Sequence, residues 1–227
     1  MGRPLRDLRV SVTDRCNFRC RYCMPRERFG KEHNFLPKSD ILSYEEIQKF
    51  VLACKPLGLN KVRITGGEPL LRKDLPKLVS HISDLGLEVA LTTNGSFLKR
   101  EAASLAEAGL DRVTISLDAI DQELHSGITD SNVTVSDILE GIEQATRSGL
   151  GPVKVNCVVQ RGVNESQIPK LVRQFRGTGT IVRFIEFLDV GGTNGWTPGQ
   201  VVPTSEILDF LSREFDLVPM MLSLIHI

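Results

Sequence analysis

Six times along this chain, a run of alternating apolar residues ends at a Gly or Asn turn and gives way to a helical pattern. The strand candidates are 8–14 (LRVSVTD), 61–65 (KVRIT), 88–93 (EVALTT), 112–118 (RVTISLD), 153–159 (VKVNCVV) and 181–187 (IVRFIEF). Helical stretches follow them, and most close on a glycine. The first, SYEEIQKFVLACKPLG, opens with Ser43 and Glu46 at capping-box spacing. Strands alternating with helices predict βαβ units and a parallel sheet. Six units without a dinucleotide fingerprint fit either a doubly wound sheet or part of a β/α barrel. A complete eight-unit barrel takes ~250 residues, so the length of 227 favours a partial (β/α)6 TIM-type barrel. No low-complexity linker interrupts residues 1–216, which are expected to form one α/β core. Residues 217–227 match no recognised pattern.

Composition excludes several classes of partner. Lys+Arg and Asp+Glu stand at 28 each, so no global field points to nucleic acid or an anionic membrane. No apolar run approaches the ~20 residues that span a bilayer. The start, MGRPLRDLRV, lacks the apolar stretch of a signal peptide. Five cysteines, an odd number, argue for a reducing compartment rather than a disulfide framework. A cytoplasmic location is expected.

Strand alternation sorts the side chains further. Lys61, Arg63 and Thr65 share one face of their strand, opposite Val62 and Ile64. Arg9 and Ser11 oppose Leu8, Val10 and Val12. Thr114, Ser116 and Asp118 oppose Val113, Ile115 and Leu117, and Lys154 and Asn156 oppose Val153, Val155, Cys157 and Val159. The apolar faces should meet the helices, which turns the polar faces inward. The last strand is ambiguous, because Arg183 and Glu186 fall on opposite faces. Ordinary barrel interiors hold Val, Ile and Leu, whereas this one would hold Arg9, Arg63 and Lys154. Buried charges need partners. Asp118 and Glu68 are the internal candidates, and a phosphate chain is the external one.

The chemistry-bearing segments cluster at the C-terminal ends of the strands, where β/α folds place their sites. CNFRCRYC (16–23) follows the first strand, GGEP (66–69) the second and NG (94–95) the third. Gly66 and Gly67 allow a close backbone approach, or simply a tight turn. Cys16, Cys20 and Cys23 lack the fourth ligand of a structural zinc site, since His33, His81, His125 and His226 are not at finger-like spacing. An iron–sulfur cluster normally takes four cysteines, so three would leave one iron open. Cys54 completes an apolar stripe with Ile47, Phe50 and Val51 and reads as core, as does Cys157. Both metal readings remain open on spacing alone.

The C-x3-C-x2-C spacing with Tyr22 before the last cysteine, followed by GGEP, resembles the radical S-adenosylmethionine enzymes. The resemblance implies that Cys16, Cys20 and Cys23 hold a 4Fe–4S cluster whose open iron takes S-adenosylmethionine. More narrowly, GRPLRDLRVSVTDRCNFRCRYCMP, VRITGGEPLLRKDL, LTTNG, VTISLDA, VKVN and RFIEF resemble the GTP 3′,8-cyclase family of molybdenum cofactor biosynthesis. That similarity implies S-adenosylmethionine contacts at Tyr22, Gly67, Ser116 and Leu188, although the family usually has Met at this last position. It implies GTP contacts at Arg9, Arg63, Thr92 and Lys154. It also implies a homodimer, an electron donor such as flavodoxin or ferredoxin, and a downstream cyclic pyranopterin monophosphate synthase. Members continue for roughly another hundred residues carrying three cysteines for a second 4Fe–4S cluster, so this chain is expected to be C-terminally truncated. On the same view, a radical enzyme acting on a peptide and a non-catalytic zinc-stabilised module are the alternatives.

Overall fold

The computed structural model describes residues 2, 4–190 and 194–219. The closing stretch 220–227, with His226, lies outside them. Six strands, β1 (Asp7–Ser11), β2 (Lys61–Thr65), β3 (Glu88–Thr93), β4 (Arg112–Ser116), β5 (Lys154–Val159) and β6 (Ile181–Glu186), form one sheet in the order β1-β2-β3-β4-β5-β6. Every neighbouring pair is parallel. A doubly wound sheet reverses its strand order at a switch point. This order never reverses, so each crossover steps the same way and the helices collect on one face. That is the winding of a TIM-type barrel, open between β1 and β6.

Among the described residues, seven α-helices make the crossovers and the outer layer: α1 (Tyr44–Cys54), α2 (Leu75–Ser83), α3 (Leu98–Glu107), α4 (Gln122–Thr129), α5 (Val135–Arg147), α6 (Gln167–Phe175) and α7 (Thr204–Ser212). α1 starts on the expected capping box, with Glu46 N–H donating to Ser43 Oγ at 3.1 Å and Ser43 N–H to Glu46 Oε2 at 2.7 Å. The sequence pattern does not anticipate α4. Its N-cap, Asp121, accepts from Leu124 N–H at 3.1 Å, and the helix stops at Asp130, whose φ is 44°. Eight residues including Ser126 and Gly127 are too short and too weak in helix formers to announce themselves.

The core lies between sheet and helices, as alternation requires. Val62, Ile64, Val89, Leu91, Ile115, Val155 and Cys157 are each fully buried, and Val113 almost so. Ile47, Val51 and Cys54 of α1 pack against them, but Phe50 is 55% exposed. The apolar stripe of α1 is therefore narrower than its sequence suggests. Two strands also end at least two residues earlier than expected, β1 at Ser11 and β4 at Ser116. One further ladder bond continues each, from Val12 N–H to Thr65 O at 2.8 Å and from Leu117 N–H to Asn156 O at 2.9 Å. Beyond those bonds the chain turns into the site.

Ile64→Ala, at a fully buried strand position, should cost ~2–5 kcal/mol of unfolding free energy. Phe50→Ser should stay within ~0.5 kcal/mol of the parent. Urea titrations of both variants check the narrowed stripe.

Candidate functional site

The cysteine segment leaves the end of β1 and is gripped from four directions. The turn after β2 continues the parallel ladder onto it: Gly67 N–H donates to Thr13 O at 2.7 Å and Glu68 N–H to Arg15 O at 2.8 Å. The backbones are so close that a Cβ on Gly67 would stand 2.2 Å from Arg15 O, and one on Gly66 would stand 2.6 Å from Thr13 O. Both glycines are thus required by the chain's contact with itself. From the other side, the last carbonyls of α4 accept from the segment, Thr129 O from Arg19 N–H at 2.8 Å and Ile128 O from Arg21 N–H at 3.1 Å. The Arg19 guanidinium donates to Phe29 O, Cys16 O and Phe18 O at 2.7–2.8 Å. Finally, Tyr22 donates its hydroxyl to Asp118 Oδ2 at 2.7 Å, and Val158 N–H donates to Asp118 Oδ1 at 2.7 Å.

Glu68 and Asn94 complete the frame. Glu68 has no solvent exposure and accepts from Leu70 N–H, Thr93 Oγ1 and Asn94 N–H at 3.0, 2.7 and 2.7 Å. The Asn94 side chain donates to Asn17 Oδ1 at 2.9 Å and to Cys16 Sγ at 3.8 Å. In sequence, Asn94 reads only as half of a turn. Its hydrogen bonds to the cysteine segment come from 77 and 78 residues away, a separation that carries no local signal.

Cys16, Cys20 and Cys23 are brought together at the mouth. Burial pushes all three thiols up, Cys20 most strongly. After burial, Asp118, Cys16 and Cys23 raise Cys20 further, while Glu68 and Cys23 raise Cys16. Asp118 itself is raised to about 6 by burial, against the pull of Tyr22 and Val158. Ionising three neighbouring thiols beside two buried carboxylates calls for a compensating cationic group, and thiolates are the donors of iron–sulfur chemistry. Among the described residues no three His, Cys, Asp or Glu side chains converge to hold a single ion. His33 lies between Phe29 and Phe35, tilted against the first ring and edge-on to the second, and His125 is buried against Phe18. The zinc alternative thus finds no fourth ligand among the described residues, whereas a cluster that meets each thiolate at a separate iron fits.

Below the mouth lies the polar face. Register puts Arg9 opposite Arg63, Thr92 opposite Thr114, Thr114 opposite Lys154, and Ser116 opposite Asn156. The same register puts Asn156 opposite Arg183, whose Nε donates to Asn156 Oδ1 at 2.9 Å. That resolves the ambiguity of β6 and adds Arg183 to the face, while Glu186 turns away to accept from Thr204 N–H and Oγ1 at 2.7 and 2.9 Å. Arg112 belongs to the face as well, two residues before Thr114. Alternation already contained that signal.

The internal partners expected for these cations are otherwise engaged, Glu68 and Asp118 as described. The carboxylates that pair are Asp7 and Glu88, at the strands' N-terminal ends. Asp7 meets Arg63 at 3.4 Å, and Glu88 meets Lys61 at 3.2 Å and also Arg112. No carboxylate partner of Arg9, Lys154 or Arg183 occurs among the described residues. The face is open and half-solvated, with Arg9 exposed, which lets these charges persist unpaired. Burial, then Arg183, Arg112, Lys61 and Arg63, pull the Lys154 pKa down. Leu188 sits apart after β6, 60% exposed, with its carbonyl accepting from Asn194 Nδ2 at 3.0 Å.

The pattern of the radical SAM superfamily matches residues 10–175, from β1 to the end of α6. The chain belongs to this superfamily. Radical SAM enzymes carry a 4Fe–4S cluster and S-adenosylmethionine, the groups that the three thiols and the adjoining mouth suit. Among curated proteins, it is 49% identical over 222 residues to the GTP 3′,8-cyclase of Acidothermus cellulolyticus, covering 97% of this chain and 61% of that protein. It is 50% identical over 219 residues to the GTP 3′,8-cyclase of Staphylococcus carnosus, covering 96% of this chain and 64% of that one. The chain thus spans a little over three fifths of their length. Solved structures share the fold. Streptococcus suis SuiB bound to S-adenosylmethionine superposes with a TM-score of 0.70 at 17% identity, covering 93% of this chain and 48% of that one. Methylornithine synthase superposes with a TM-score of 0.66 at 18% identity, covering 92% and 62%.

For this radical SAM chain, Gly67→Ala should displace Arg15, the residue before Cys16. Iron and sulfide bound after anaerobic reconstitution should fall well below the parent level, while far-ultraviolet circular dichroism stays unchanged. Full loading of the variant would show that the ladder between Gly67 and Thr13 does not hold the cysteine segment.

Proposed function

We propose that this chain is the cluster-, S-adenosylmethionine- and GTP-binding core of a GTP 3′,8-cyclase, the first enzyme of molybdenum cofactor biosynthesis. The observation that carries the reading is the strand face below the thiols, where Arg9, Lys154 and Arg183 have no carboxylate partner among the described residues. Several cations left without anions suit a triphosphate. The names of the two relatives, at 49% and 50% identity, support the same substrate. A peptide substrate gives no reason for such a face.

In this reading Cys16, Cys20 and Cys23 hold the cluster, and Tyr22, Gly67, Ser116 and Leu188 line the S-adenosylmethionine site. Arg9, Arg63, Thr92 and Lys154 bind GTP, joined by Arg183. When bound, the cluster and S-adenosylmethionine supply a carbon-centred radical that takes hydrogen from the substrate. The residues of the chain position the reactants. Cations on β1, β2, β5 and β6 hold the triphosphate deep in the sheet, which directs the ribose and base toward the mouth. The Tyr22–Asp118 bond holds the cysteine segment over β4 and β5, so that cofactor and substrate meet at one end. The product is 3′,8-cyclo-7,8-dihydro-GTP, passed on to cyclic pyranopterin monophosphate synthase. A flavodoxin or ferredoxin supplies electrons, the assembly is a homodimer, and the location is cytoplasmic. Residues 1–216 make up the radical SAM core. A second 4Fe–4S cluster belongs to the part of such enzymes that these 227 residues do not span.

Lys154→Ala should weaken GTP binding about ten- to hundredfold, the loss of one charge-assisted contact, and leave S-adenosylmethionine binding intact. Equal losses for both ligands in calorimetry would make Lys154 structural. The pH dependence has a definite sign. Because burial and neighbouring cations lower the Lys154 pKa, its charge is present at low pH and lost on the alkaline side, earlier than for an ordinary lysine. GTP affinity should therefore fall with rising pH before free lysines titrate, and binding should draw in protons.

A polypeptide of these 227 residues alone should cleave S-adenosylmethionine without coupling it to GTP cyclisation. Without the second cluster to seat the guanine, misplacement of the ribose by ~1 Å can cost ~10²-fold. Measuring 5′-deoxyadenosine and the cyclised nucleotide together under anaerobic reduction checks this. Stoichiometric production of both would show that the core suffices.

A further inference from the structure

Charge is unevenly spread along this neutral chain. Between Arg15 and Lys38 there are seven Lys and Arg residues against two Glu. Several are committed: Arg19 to three carbonyls, Arg26 to Asp130 at 2.6 Å, and Arg28 to a partner of its own. Arg21 shares its cavity with Asp121 and Glu123. Of those that remain, Arg15 and Lys38 meet others from the loop after β2. Arg15, Lys38, Arg72 and Lys73 surround a depression of about 360 Å³ with Tyr44 and Ile41 in its wall, and no carboxylate lines it.

Two of the four cations are fixed in place. Arg72 donates to Val12 O at 3.0 Å and Leu42 O at 2.6 Å, with its guanidinium 4.2 Å from the Tyr44 ring centre. Arg15 lies over Phe35 at 5.4 Å. Lys38 and Lys73 are exposed. The depression borders the cysteine segment, because Arg15 immediately precedes Cys16 and Thr13 also lines it. It is separate from the substrate face, since none of Arg9, Arg63, Lys154 or Arg183 lines it. A second group of cations that make no ion pair among the described residues, set over an apolar wall and one residue from a cluster ligand, suits a protein with an acidic surface.

We propose that this depression is the docking face for an acidic one-electron carrier protein that reduces the cluster. The inference rests on the radical SAM reading of the three thiols and not on the identity of the substrate. The transfer moves one electron from the reduced carrier to the oxidised cluster, and no bond forms or breaks. Basic and acidic surfaces steer the encounter, and the attraction weakens as salt screens it.

The test uses the cluster-loaded protein, a bacterial flavodoxin as the carrier probe and dithionite as a small reductant. Lys38→Glu/Lys73→Glu should weaken flavodoxin binding in calorimetry by about tenfold or more at low salt, the size expected when charges are reversed at an electrostatic interface. Cluster reduction by flavodoxin hydroquinone, followed by electron paramagnetic resonance, should slow by a similar factor. Reduction by dithionite should not change, and Lys38→Arg/Lys73→Arg should behave as the parent. Unchanged flavodoxin affinity in the charge-reversed variant overturns the proposal. So does a variant that loses binding of inorganic pyrophosphate while keeping flavodoxin, which would make the depression a small-anion site. If the parent with dithionite forms no 5′-deoxyadenosine from S-adenosylmethionine, the radical reading itself fails, whatever the variants do.

Discussion

The carboxylate of Glu68 has no access to water, and a buried ion persists only where hydrogen bonds replace its hydration. Three donors do so here: Leu70 N–H in its own loop, and Thr93 Oγ1 and Asn94 N–H at the end of β3. Satisfying that one group locks the loop after β2 against the end of the neighbouring strand. The constraint then spreads, because the same loop carries the N–H groups of Gly67 and Glu68 that hold Thr13 and Arg15. Asn94, fixed through its backbone, turns its side chain onto Asn17 and Cys16. The conformation of the cysteine segment thus depends on a residue that never touches a thiol. Burial raises the Glu68 pKa while its three donors pull it back, so the ion and its partners stand or fall together.

Charge on the inner face is graded along the strands. Asp7 and Glu88 at the N-terminal ends take up Lys61, Arg63 and Arg112. Lys154 and Arg183 follow toward the mouth without such partners, and the thiols with their own buried carboxylates lie beyond. An anion is drawn to the middle of this sequence, and a cationic cluster to its end. The sheet can keep cations unpaired because it is open between β1 and β6. In a closed interior each would cost several kcal/mol, but here water reaches Arg9 and partly reaches Arg63, Lys154 and Arg183.

Much of this was legible in the linear chain. Alternation in KVRIT and VKVNCVV assigns each side chain to a face, since the period of a strand leaves only two choices, and burial follows it at Val62, Ile64, Val155 and Cys157. Ser43 and Glu46 announce the start of α1 because a capping box is satisfied within four residues. Phe50 shows where such reasoning fails. An apolar residue at helical spacing reads as core, but the width of the buried stripe depends on the neighbouring elements, which sequence spacing does not contain.

By itself, then, the sequence determined the six βα repeats, the face on which Arg9, Arg63 and Lys154 lie, and the trio of Cys16, Cys20 and Cys23, because each follows from periodicity or spacing within a few residues. Only the tertiary structure decided the rest. The non-reversing strand order, the pairing of Asn156 with Arg183, the grip of α4 on Arg19 and Arg21, and the need for glycine at 66 and 67 all arise between segments far apart in the chain. Backbone groups carry most of these contacts, and a backbone N–H or C=O is the same at every residue. Its partner is therefore set by where the chain runs, and no residue type encodes it.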